Sequence, residues 1–115
     1  VKLNRKTDKL WTAYMRKRYN YTCQYCFKQY TPDNCSNLGV SHFHSRSHES
    51  VRFDIENTVL LCSTPCHSFL DTHKDIYKDF MLKRLGQERY DKLELRANEY
   101  KKRNDIETEV EIKRL

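Results

Sequence analysis

The chain has 115 residues, room for one domain, and only 37% of them are hydrophobic against 33% charged. No apolar run approaches the roughly 18 residues of a membrane span, the start lacks the apolar stretch of a secretory signal, and two glycines and two prolines exclude a low-complexity chain. A core this thin calls for a staple, which five cysteines and five histidines can supply, and a net charge of +6 suits a polyanionic partner such as nucleic acid, or plain solubility.

Charge is uneven along the chain. Residues 1–30 carry +7, residues 31–75 carry −3 and residues 76–115 carry +2. The basic excess is an N-terminal feature. The absence of a Met at position 1 points to processing or to a longer parent chain.

Thr7 or Asp8 can cap a helix that runs to about Arg18. Leu10, Tyr14, Trp11 and Met15 form its apolar stripe, and Lys9, Arg16, Lys17 and Arg18 lie on other faces. These cations are either a phosphate-binding surface, with Arg16 and Lys17 as the contacts, or a solvated basic face. A turn follows at 21–29, then the polar loop Thr31 to Asn37. Gly39 to His44 reads as a short strand, with Glu49 to Phe53 pairing back on it as a hairpin. Asp54-Ile55-Glu56-Asn57 leads into the apolar run Thr58-Val59-Leu60-Leu61.

A helix is predicted from about Pro65, with Phe69, Ile76 and Phe80, and also Leu70 and Tyr77, on helical spacing. Gly86 stops it. A second helix is predicted from Gln87 to Arg103, with Tyr90, Leu93, Ala97 and Tyr100 on one stripe. Residues 105–115 read as a weak helix or a frayed tail. The segments are therefore 1–20, a basic helix; 21–86, a stapled core; and 87–115, a helical extension, in one domain of the α+β class.

The cysteines carry the strongest signal. Cys23-Gln24-Tyr25-Cys26 is a CxxC, and Cys62-Ser63-Thr64-Pro65-Cys66 is a CxxxC. One tight turn can aim two thiols so spaced at a single tetrahedral ion, which predicts a structural Zn2+ on Cys23, Cys26, Cys62 and Cys66. An odd thiol count and no secretory signal argue against a disulfide scaffold and for a reducing, cytoplasmic compartment. The flanks Tyr21-Thr22 and Phe27-Lys28 read as a knuckle turn rather than a thioredoxin-like strand-to-helix turn. Cys35, in the polar loop, is a bystander.

Between the cysteine pairs stand His42, on the first strand, Asn57, in the loop, and then His67, next to Cys66. His42 to Asn57 is fifteen residues and Asn57 to His67 is ten. With this order on a strand–hairpin–helix unit, the sequence resembles the HNH (ββα-metal) endonuclease family, and within it the NinG/Rap-like phage recombination nuclease group. His42-Phe43-His44-Ser45-Arg46 looks like that group's His-Phe-x-Ser-Arg. The resemblance extends through Arg52-Phe53-Asp54-x-x-Asn57, Leu61-Cys62 to Cys66-His67, and Tyr77-x-x-Phe80 to Leu85-Gly86, covering about residues 21–100.

The resemblance implies a fold, an activity and a partner. The fold is a ββα-metal core, the activity is metal-dependent hydrolysis of DNA phosphodiesters, and branched recombination intermediates are the implied substrates. His42 would be the general base, since a histidine titrates in the right range. Asn57 would hold the hairpin loop by side-chain hydrogen bonds to backbone. His67 would bind the catalytic divalent ion (Mg2+, Mn2+ or Zn2+), joined by Asp71 one helical turn on. Nucleases acting on such junctions usually work as dimers, and the last helix and tail would supply that interface.

One departure stands out. The residue before the base is often Asp or His in this family and binds metal; here it is Ser41, as small as in the NinG-like group. His44, two residues from His42, would share its strand face and supply a ligand or touch DNA. His48 and His73 are further candidates for ligands, although a hydrogen-bonded surface histidine is the plainer reading of each. Arg46 and Arg52 flank the site, as phosphate contacts or as ion-pair partners of Glu49, Asp54 or Glu56. A zinc-stabilised DNA-binding module without catalysis, and a zinc domain that meets only protein, are the rival readings.

Overall fold

The computed structural model describes residues 5–115; positions 1–4, which include Lys2 of the basic N-terminal segment, lie outside the described residues. Among those described, five α-helices surround a two-stranded antiparallel sheet, an α+β arrangement.

The first helix, α1 (Lys6–Arg18), starts two or three residues earlier than a cap at Thr7 or Asp8 would set. Arg5 is the cap residue, and Asp8 serves from inside the first turn by accepting the Arg5 backbone N–H at 3.1 Å. Trp11 and Met15 face the core, while Leu10 and Tyr14 are half-buried against it. The indole Nε1–H of Trp11 donates to Thr58 Oγ1 at 3.1 Å, which satisfies the one polar atom of a buried ring.

Strands β1 (Leu38–His42) and β2 (Thr58–Cys62) pair in the register Leu38↔Cys62, Val40↔Leu60 and His42↔Thr58. This corrects the predicted hairpin. Glu49–Val51 forms a single 3-10 turn instead of a returning strand. The reason is burial: every residue of Thr58–Cys62 is buried, whereas the segment 49–53 could bury only part of itself. Burying each large aliphatic side chain of β2 is worth about 1.5–3 kcal/mol, so the apolar run wins the pairing. The connection between the strands is consequently long, residues 43–57.

That connection is held by arginines. Arg84 donates to the carbonyls of Ile55, Glu56 and Thr58, Arg103 donates to the Glu49 carbonyl, and Arg96 pairs with Asp54 and Glu56. Part of the net positive charge is thus spent on internal structure.

After β2 a π-type turn, Ser63–His67, leads into α2 (Ser68–Thr72), α3 (Lys74–Leu85), α4 (Gln87–Ala97) and α5 (Asp105–Lys113). The helix expected from Pro65 is therefore interrupted at His73, whose backbone leaves the helical region. Gly86 ends α3 with φ at +81°, a conformation that favours glycine. The helix expected to reach Arg103 ends at Ala97, and Tyr100 is 89% exposed rather than on a buried stripe. The tail is an ordered helix: the Asn104 side chain caps α5 by accepting the N–H groups of Ile106 and Glu107. α1 packs on α5 and β1, and α4 packs on the 3-10 turn, so the first and last segments close around the middle one.

Candidate metal centre and catalytic cleft

The Sγ atoms of Cys23, Cys26, Cys62 and Cys66 all lie within 4.8 Å of one another. The Cys26–Cys62 pair is 3.9 Å apart, against the about 3.8 Å edge expected for four sulfurs about 2.3 Å from one central ion. The donor set and its spacing therefore fit a tetrahedral metal ion. Cys35 stands apart, with its thiol against the Pro32 carbonyl.

Local chemistry explains how two distant pairs meet. The first pair sits on a turn closed by Cys23 N–H to Lys28 O and Phe27 N–H to Cys23 O, with Phe27 in the left-handed region at φ +64°. Gln24 docks this turn on β2: its N–H donates to Leu60 O, and its Oε1 accepts Leu60 N–H at 2.7 Å. Cys62 ends β2, and Cys66 is one turn further on. Burial pushes up the thiols of Cys62 and Cys66. It acts the same way on Cys23, but the N–H groups of Cys26, Cys62 and Tyr25 outweigh it and hold that thiol down at about 7. A bound cation would draw the remaining protons off.

A cleft of about 630 Å3 opens nearby, lined by His42, His67, Asp71, Arg46, Lys74 and Asp8 among others. His42 ends β1, and its Nε2 is 3.0 Å from the carbonyl oxygen of Arg52. A carbonyl only accepts, so Nε2 carries the proton and Nδ1 keeps its lone pair. Burial pushes the imidazole down to about 4, so it is neutral at pH 7.

Asn57 is fully buried and clamps the connection. Its Oδ1 accepts the His44 N–H at 2.8 Å, and its Nδ2 donates to the carbonyls of His44 at 3.0 Å and Val51 at 3.1 Å. His67 Nε2 and Asp71 Oδ2 are 3.1 Å apart, close to the about 3.0 Å edge expected for neighbouring ligands of an octahedral ion at about 2.1 Å. An imidazole and a carboxylate are donors suited to Mg2+, Mn2+ or Zn2+. Lys74 Nζ is 3.6 Å from Asp71 Oδ1.

Several predicted residues fall elsewhere. Ser41 points into the core, where its hydroxyl and that of buried Tyr77 are 2.7 Å apart. His44 is not beside His42, because β1 ends at His42 and the chain turns; its Nε2 meets Glu94 Oε1 on α4 at 2.8 Å. His48 bonds the Ala97 carbonyl, and His73 bonds the Phe69 carbonyl and stacks on that ring. Arg52 is not a phosphate contact: it is 4% exposed and paired with Asp8 at 2.6 Å and Glu49 at 3.4 Å. Arg46 lines the cleft 3.9 Å from Asp8. Arg16 turns its Nε to the Leu38 carbonyl on the sheet edge, while Lys17 is exposed.

Asp8, Lys74 and Thr12 are cleft residues that the sequence did not assign to the site. Lys74 could have been found, since it stands three residues beyond Asp71; Asp8 was marked only as a helix cap, and its partner Arg52 is forty-four positions away. No helix among the described residues is long and apolar enough to cross a membrane. No protein-family model, curated protein or solved structure matches the chain.

Proposed function

We propose that the chain is a metal-dependent HNH (ββα-metal) endonuclease that hydrolyses DNA phosphodiesters, with a structural Zn2+ on the four cysteines. The observation that carries this reading is one cleft that brings the His42 imidazole, its Nε2 3.0 Å from the Arg52 carbonyl oxygen, together with the His67–Asp71 pair. The order strand, strand, helix, with one cysteine pair ahead of β1 and the other at the end of β2 and in the turn before α2, adds support.

His67 and Asp71 would hold the divalent ion. When bound, such an ion polarises a phosphate oxygen and stabilises the leaving 3′ oxygen. His42 accepts at Nδ1 the proton of the attacking water, whose oxygen bonds to phosphorus as the bond to the 3′ oxygen breaks. Asn57 keeps the backbone at His44 and Val51 in place, and with it the connection that carries the Arg52 carbonyl. Arg46 and Lys74 bring positive charge to the cleft wall, which suits a phosphodiester.

The test is plasmid nicking by the zinc-loaded chain with Mg2+, Mn2+ or added Zn2+, and junction DNA set beside linear duplex as substrates. Wild type should cleave and His42→Ala should not. His67→Ala should lose cleavage and keep its zinc. No cleavage by wild type with any of these ions overturns the enzyme reading. If His67→Ala instead sheds zinc and unfolds, His67 belongs to the structural site. A second reading, a DNA-binding module without catalysis, draws on the commitment of Ser41 to Tyr77, which leaves His67 and Asp71 as the paired donors in the cleft. It predicts salt-sensitive DNA binding with no nicking.

A further inference from the structure

The buried ion pair between α1 and the long connection ends on the proposed base. Arg52 donates from Nε to Asp8 Oδ1 at 3.1 Å and from its terminal nitrogen to Asp8 Oδ2 at 2.6 Å, a two-pronged contact. Its other terminal nitrogen donates to the Arg46 carbonyl at 3.1 Å and to Glu49 Oε2 at 3.4 Å. Both partners are withdrawn from water, at 4% and 8% exposure. The same residue's backbone carbonyl stands 3.0 Å from His42 Nε2. A fork held by four hydrogen bonds restrains the Arg52 side chain, and through it the backbone that bears the carbonyl.

We infer that Asp8, acting through Arg52, is a positioning residue for His42: α1 sets which imidazole nitrogen carries the proton. The N-terminal helix is then part of the machinery of the cleft and not only a basic grip on DNA. This inference rests on the reading of His42 as the base, but its first link, Asp8 to Arg52 to imidazole, is testable without cleavage. The physical stakes follow from the tautomer. If the Arg52 carbonyl shifts, the imidazole can place its proton on Nδ1, and the lone pair needed for the water is gone.

The test uses the full, zinc-loaded chain with 15N-labelled histidine. Long-range 1H–15N spectra at pH 7 should show wild-type His42 protonated at Nε2. In Asp8→Asn, which keeps the shape and removes the charge, and in Arg52→Lys, which removes the fork, the signal should move toward a mixture of tautomers. Lys6→Ala, which breaks the pair from α1 to Glu109, should leave it unchanged. Where Asp8→Asn does not hold its fold and its zinc, Asp8→Glu displaces the carboxylate by one methylene and is read in the same way. Wild-type His42 protonated at Nδ1, or a tautomer unchanged in folded variants, overturns the inference.

If wild type nicks DNA, Asp8→Asn should lower kcat by about 10- to 100-fold with KM for DNA within about twofold, a share of the about 10²- to 10⁴-fold that a positioned base supplies. An equal kcat with a raised KM would mean that the pair only shapes the DNA surface, which also overturns it. Failure of wild type to nick with an Asp8-dependent tautomer sinks the nuclease reading and leaves the coupling standing. Nicking with an Asp8-independent tautomer does the reverse.

Discussion

Replacing Asn57 with Asp tests the clamp that holds the connection between the strands. Asn57 is fully buried and makes three hydrogen bonds, one as acceptor from His44 N–H and two as donor to the carbonyls of His44 and Val51. Asn57→Asp changes one heavy atom. The acceptor survives, both donors vanish, and a carboxylate oxygen is set against two carbonyl oxygens. Each orphaned buried acceptor costs about 1–3 kcal/mol, so the loss at pH 7 is about 4 kcal/mol. Acid should relieve it. The new carboxyl, buried beside two carbonyls, binds a proton more readily folded than unfolded, so the variant's deficit shrinks as pH falls. Protonation restores one of the two donors, so about 1–2 kcal/mol should return by pH 5. Urea unfolding of the zinc-loaded chain at pH 7 and pH 5, for both proteins at equal slope, reads both numbers. A variant within about 1 kcal/mol of wild type at pH 7, or a gap that widens on acidification, would refute the reasoning.

The imidazole of His42 makes wild-type stability pH-dependent with a definite sign. Burial lowers it in the folded state to about 4, against about 6.5 unfolded, so the unfolded chain takes the proton first. Its contribution is complete above about pH 6.5 and about 3 kcal/mol is lost as pH falls to about 4; His42→Gln should flatten this slope in urea melts at pH 7, 5.5 and 4.5. Cys23→Ala should cost about 3 kcal/mol or more and lose zinc in the same step, whereas Cys35→Ser should change stability by less than about 0.5 kcal/mol and keep the metal, as read by metal analysis beside thermal melts. Phe27 is 73% exposed at φ +64°, so Phe27→Gly should raise stability by about 1 kcal/mol without altering zinc content; a loss would show that the ring has a contact worth more than the backbone strain.

The cysteine pairs were legible because their chemistry is local. Two thiols two or three residues apart need only one turn to converge, and that turn is written in Cys23 to Phe27 and in Cys62 to Cys66. The stop at Gly86 and the apolar run into Cys62 were readable for the same reason. Asn57, His42 and His67 were picked by spacing and resemblance, and the fold brings His42 and His67 to one cleft and Asn57 beneath the connection.

What spacing could not carry was the choice among polar partners. The chain holds twenty-two cations and sixteen anions, and nothing along it says that Arg52 goes to Asp8 rather than to a phosphate. His44 was placed beside His42 by strand alternation, and Ser41 stood by resemblance at a ligand position. Ser41 lies inside the strand on the face opposite His42 and meets Tyr77 in the core, while the strand stops at His42, so His44 meets Glu94 on another helix. The hairpin partner was misjudged because pairing is a competition, settled by which segment buries more apolar surface once the helices close over it. Residue types and short spacings thus determine which chemistry is available. Packing across forty or more positions determines which of those side chains reach the cleft and which become its supports.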